Sequence, residues 1–131
     1  MPSAVDTNVL VRFLVDDGSE QVKLARQVFA RERVAISLSV MLETEWVLRS
    51  NFGFQRDQVC DAFDRVLGYG SVEFPDRQVL ESAVDACRTG MDFADALHLN
   101  AAANCDVFYT FDKKLTRSAK QQIPAILARE P

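Results

Sequence analysis

At 131 residues, 48% of them apolar and 26% charged, the chain has the size of one domain with its own core and is too apolar for a disordered segment. A formal net charge of −4 excludes nucleic-acid affinity spread over a generally basic surface, so any such binding has to be local. Cys60, Cys87 and Cys105 lie far apart with no C-x-x-C pair, which excludes a disulfide framework and a zinc knuckle and suits a reducing cytoplasm.

No window approaches the roughly 18 uninterrupted apolar residues of a membrane span, and the N-terminus carries no basic stretch followed by an apolar one. Nor is there a repeat, a low-complexity tract or a linker, so residues 1–131 read as a single cytoplasmic domain. In chain order, Ala4-Val5 closes a first strand and Asn8 to Val15 forms a helix. Ser19 caps the next helix, Ser19 to Arg33, with Val22, Ala25, Val28 and Phe29 at helical spacing. Val34 to Leu38 is a short β-branched strand, followed by a helix from about Ser39 to Asn51 that stops before Gly53. Val59, Phe63, Val66 and Leu67 mark one amphipathic helix; Val79, Leu80, Ala83, Val84 and Cys87 mark another, with a strand candidate at Ser71 to Phe74 between them. Asp92 to Asn104 is an Ala-rich helix, Asp106 to Thr110 a strand, Asp112 onward a short helix, and Ala125 to Leu127 an edge strand.

Strands alternating with helices predict parallel pairing, because parallel neighbours need a crossover that packs back onto the sheet. The expected fold is a three-layer α/β/α domain around a central parallel sheet of four to five strands, with ligands beyond the carboxyl ends of the strands.

Four carboxylates stand at informative places. Asp6 follows the first strand, where an N-cap explains it equally. Glu43 falls, at 100° per residue, between Trp46 and Val47, so it is expected on an apolar face and to need a partner there, an arginine or a metal; Glu45 is expected to be a solvated charge beside Arg49. In Asp92-Phe93-Ala94-Asp95 the first acid reads as a cap and the second projects along the side of His98, Leu99 and Ala102. Asp112 leaves the end of the strand Val107 to Phe111 and can also cap the helix of Lys113 and Lys114. Carboxylates gathered within about 4–6 Å raise one another's pKa unless a cation intervenes. Oxygen-only donors suit Mg²⁺ or Mn²⁺, and the absence of a Cys/His cluster argues against zinc. Such a centre can activate water against a phosphodiester.

At these residues the sequence resembles the PIN-domain family, in particular its VapC-type toxins. The matching stretches are Asp6-Thr7-Asn8-Val9-Leu10, Leu42-Glu43-Thr44-Glu45-Trp46-Val47-Leu48-Arg49, Asp92-Phe93-Ala94-Asp95-Ala96-Leu97-His98 and Thr110-Phe111-Asp112-Lys113-Lys114-Leu115, spanning about residues 4 to 116. The resemblance implies a metal-dependent endoribonuclease with Asp6, Glu43, Asp95 and Asp112 as catalytic, metal-binding acids and Asn8, Thr110 and Asp92 in support. It further implies an RNA substrate, a homodimer and a small VapB-like antitoxin that blocks the active groove.

Arg12, Arg49, Lys113, Lys114 and Arg117 flank the motifs and are candidates for RNA phosphates, with an ordinary solvated surface as the alternative. His98 reads as a hydrogen-bonded structural residue, and Trp46, Phe52 and Phe54 as core or dimer contacts. Two other readings stand beside the nuclease. One is a HAD-like or receiver-like phosphotransfer protein using Asp6, although Asn8 occupies the place where a HAD motif expects a second Asp. The other is a non-catalytic PIN-fold binding module.

Overall fold

In the computed structural model, which describes residues 1–131, the first three helices each begin where a side-chain oxygen takes up a free backbone N–H. Asp6 accepts from Val9 N at 3.1 Å and starts α1 (Thr7–Leu14). Ser19 accepts from Val22 N at 3.4 Å at the head of α2 (Glu20–Arg31), and Ser37 accepts from Val40 N at 3.3 Å at the head of α3 (Leu38–Phe52). These caps also set the strand ends. The predicted strand Val34 to Leu38 is cut to β2 (Val34–Ala35), because the Ser37 cap commits Leu38 to the helix. β1 is likewise Ser3–Ala4, short of Asp6.

The chain divides into two units, Met1–Arg77 and Gln78–Pro131. The N-terminal unit continues with α4 (Arg56–Leu67) and β3 (Val72–Glu73). Gly53 closes α3 at φ 67°, a left-handed conformation that a side chain there would strain, and Phe54 N returns to Leu48 O at 3.0 Å. The three strands form a parallel sheet in the order β1-β2-β3, pairing Ser3 with Val34 and Val34 with Val72. Two helices bridge each pair, as a parallel connection requires. Arg33 grips Glu73 with two parallel bonds of 2.8 and 2.9 Å across β2 and β3, and this carboxylate holds the guanidinium pKa above its ordinary value. Helix α1 packs on α2 and α3 around Leu10, Phe29, Met41 and Leu48, all buried. Phe13 stacks on Phe29 at 3.9 Å between ring centres, with Tyr69 edge-on to Phe13 at 5.3 Å.

The C-terminal unit holds α5 (Arg77–Arg88, its first residue in the other unit), α6 (Phe93–Ala101), β4 (Phe108–Tyr109), α7 (Lys113–Gln122) and β5 (Ala128–Arg129). β4 and β5 are parallel neighbours, Tyr109 opposite Arg129. The chain is therefore α/β with parallel strands and helical crossovers, the make-up of an α/β/α fold, and its five strands pair as three plus two rather than in one ladder. The helix expected to reach Asn104 ends at Ala101, where Cys105 N turns back to Ala102 O at 2.9 Å. The final strand lies at Ala128–Arg129 instead of Ala125 to Leu127, because a turn from Ile123 O to Ile126 N, 3.1 Å, occupies the segment after Pro124. No helix is long and apolar enough to cross a membrane.

Candidate active site

Two of the four acids belong to the N-terminal unit, and one hydrogen bond links their surroundings. Asp6, exposed, spends one carboxylate oxygen on the α1 cap. Its neighbour Thr7 is buried, and the Thr7 hydroxyl donates to Glu43 Oε1, fastening the head of α1 to α3 at Glu43. Asn8, the next residue, is exposed and lines a cavity of about 250 Å³ with Val9, Arg12 and residues of α2.

The helix-face reading of α3 is corrected by the structure. Met41, Thr44, Glu45 and Leu48 form its buried side, an i, i+3, i+4, i+7 set, while Glu43 is exposed and Trp46 is 57% exposed. The acid that needs a partner on that face is Glu45, 6% exposed, and Arg49 one turn on supplies it. Glu43 lies between Trp46 and Val47 around the helix, but Trp46 faces solvent and does not mark the core. Phe52 is exposed as well. The spacing Met41-Thr44-Glu45-Leu48 was present in the sequence as the competing signal, disguised because two of its members are polar.

The C-terminal unit carries the other acids. Asp92 caps α6 by accepting from Asp95 N at 3.0 Å, and so fixes the backbone of the residue it precedes by three. Asp95, half-buried, has its pKa raised first by burial and then by the negative charges of Asp92 and Asp112, with His98 and Lys114 acting in the opposite direction. Asp92, Asp95 and Asp112 thus share one electrostatic neighbourhood. Asp112 caps α7 through Lys114 N at 2.9 Å and Leu115 N at 3.1 Å, and Thr110 Oγ1 accepts from Asp112 N at 3.0 Å. Thr110 thus touches Asp112 at its backbone N–H, not at its carboxylate. His98 is exposed and makes no hydrogen bond, so it is not the structural histidine that was expected; its charge bears on Asp95.

The ion pairs leave these acids free, as they leave several other carboxylates of the chain. Asp16, Asp17, Glu20, Glu45 and Glu73 are each matched to an arginine or lysine, whereas Asp6, Glu43, Asp92, Asp95 and Asp112 enter no ion pair. Oxygen donors left without a fixed cation, with mutual repulsion already felt at Asp95, suit a hard divalent ion in chemical kind. Neither unit by itself gathers three or more Asp, Glu, His or Cys groups in a geometry that holds a metal. Two of the expected phosphate contacts are already engaged, Arg12 by Asp17 and Arg49 by Glu45. Lys113, Lys114 and Arg117 at the head of α7 are exposed and in no ion pair.

No curated protein and no solved structure matches the chain significantly. The family model described as PIN domain matches residues 4–121, a stretch that takes in all four acids and runs through both units. PIN domains are generally nucleases. With most of its length matched, the chain belongs to the PIN-domain family.

Proposed function

We propose that this PIN domain is a divalent-metal-dependent endoribonuclease, the toxin of a VapC-type toxin–antitoxin pair, with Asp6, Glu43, Asp95 and Asp112 as its catalytic and metal-binding acids. The observation that carries the reading is the family match over residues 4–121, supported by the mutual charge of Asp92, Asp95 and Asp112, which with burial raises the Asp95 pKa. When bound, Mg²⁺ or Mn²⁺ supplies a Lewis acid that acidifies water and offsets charge on a phosphodiester.

The chain's own residues have separable tasks in this reading. The α1 cap holds Asp6, and the Thr7 hydroxyl holds Glu43 in one orientation. Asp92 fixes the backbone at Asp95, and Thr110 fixes it at Asp112. Lys113, Lys114 and Arg117 give an otherwise acidic protein the local positive charge that RNA phosphates require. A homodimer and a small VapB-like antitoxin complete the proposal.

The test is incubation of the purified chain with total RNA and Mg²⁺ or Mn²⁺, with mapping of new ends. Cleavage that EDTA abolishes, and that Asp6→Asn or Asp95→Asn lowers by orders of magnitude, is the expected result. Equal cleavage by both variants would show that the acids are misassigned.

A further inference from the structure

The two-stranded ladder of the C-terminal unit has one solvent face of unusual composition. Along β4 and beyond, Phe108 and Thr110 are half-buried while Tyr109 and Phe111 are 56% and 81% exposed. Along β5 the same alternation leaves Leu127 and Arg129 exposed and Ala128 half-buried. Side chains two apart on a strand share a face, and paired residues of a parallel ladder lie side by side on it. Tyr109 is opposite Arg129, and the ladder bonds Phe108 N to Leu127 O, 2.8 Å, and Thr110 N to Arg129 O, 3.0 Å, carry the extended pairing to both neighbours. Tyr109, Leu127 and Arg129 therefore share one exposed face, and Phe111, also exposed, follows two residues beyond Tyr109 at a bend of the chain.

Within that face Arg129 lies over the Tyr109 ring, 5.6 Å from its centre, and donates to the Tyr109 hydroxyl at 3.4 Å. That pair presents a planar, positively charged surface. Phe111 makes no ring or cation contact of its own, and it directly precedes Asp112.

We infer that the exposed Phe111 and the neighbouring Tyr109–Arg129 pair together serve as a stacking platform for the unpaired bases of single-stranded RNA beside Asp112. The inference rests on the endoribonuclease reading above. Bases splayed from a single strand stack on aromatic rings and guanidinium planes, while their phosphates seek nearby cations. Here Lys113 and Lys114 follow Phe111 at two and three residues and are exposed. A protein partner fits less well: a stable interface covers roughly 800 Å² per side with few lysines at its core, and Tyr109, Phe111 and Leu127 offer three apolar side chains edged by lysine.

The experiment measures anisotropy of a fluorescein-labelled 12-nucleotide single-stranded RNA with the full chain in EDTA, so that binding is read without cleavage, and then initial rates with Mn²⁺. Phe111→Ala should weaken binding about 5- to 150-fold and raise KM more than it lowers kcat. Phe111→Trp should retain binding, and Phe111→Leu, apolar but unable to stack, should behave like alanine. An RNA of the same length with abasic positions should bind the wild type and Phe111→Ala alike. If wild type cleaves while Phe111→Ala binds and cleaves as it does, the platform is wrong and the nuclease reading survives. If wild type neither binds nor cleaves RNA, both fall. If Phe111→Ala instead changes only the oligomeric state in light scattering, the face is a contact between copies and the inference is overturned.

Discussion

Replacing Thr7 by valine tests the hydrogen bond that fastens α1 to Glu43 with almost no change of shape. Thr7 is 9% exposed, and valine has the same branched shape, so the substitution leaves no cavity and removes only the hydroxyl. What is lost is one hydroxyl donor to a carboxylate, a bond type worth about 1.5–3 kcal/mol when well protected. Glu43 is exposed and water replaces part of the loss, which brings the expected cost to about 1–2 kcal/mol. With an unfolding entropy of about 2.1 cal/mol/K per residue, the 131-residue chain loses roughly 4–7 °C in Tm. Thermal and urea unfolding of Thr7→Val, Glu43→Ala and the double variant give the coupling directly, expected near 1 kcal/mol. Because Thr7 acts through Glu43, the same substitution should lower kcat for RNA cleavage while KM holds. A Tm within about 1 °C of wild type together with additive single effects would refute the link.

Three further outcomes follow from the same geometry. Glu45→Gln should cost about 1–2 kcal/mol in urea unfolding, because it breaks the pair with Arg49 on a buried face, and Glu43→Gln should cost less; the reverse order would restore the helix face read from the sequence. Thr44 is fully buried and its hydroxyl has no partner, so Thr44→Val should stabilise the protein by about 1 kcal/mol, and a destabilised variant would reveal a hidden partner. The raised pKa of Asp95 means that the folded state favours its protonated form. Its contribution is present in acid and is lost as pH rises past the ordinary value of 3.8 and through the raised one, so metal-free Asp95→Asn should gain on wild type in Tm over that rise. A constant Tm difference between pH 3 and 7 would contradict the raised value.

The alternation of strand and helix was legible because caps and glycines punctuate it: Asp6, Ser19, Gly53, Asp92 and Asp112 mark boundaries in the sequence and do so in the structure. Strand ends were less legible, since a cap such as Ser37 decides locally where extended chain stops. Asp6, Asp92 and Asp112 stand out in the sequence as caps, and the structure has each of them accepting a backbone N–H at a helix start. The environments of the α3 acids were not legible: which of Glu43 and Glu45 is buried depends on α1 packing against α3, and periodicity misleads when a tryptophan faces solvent and a threonine and a glutamate face the core. The exposure of Tyr109 and Phe111 is illegible in the sequence for a related reason, because aromatic, β-prone segments ordinarily read as buried strand.

The most direct measurement is a Mn²⁺ titration followed by electron paramagnetic resonance, comparing the wild-type chain with Asp6→Asn and Asp95→Asn. Saturable uptake by the wild type that either substitution weakens at least tenfold is the predicted result. Undiminished uptake by both variants would contradict the assignment of these acids as the metal-binding set.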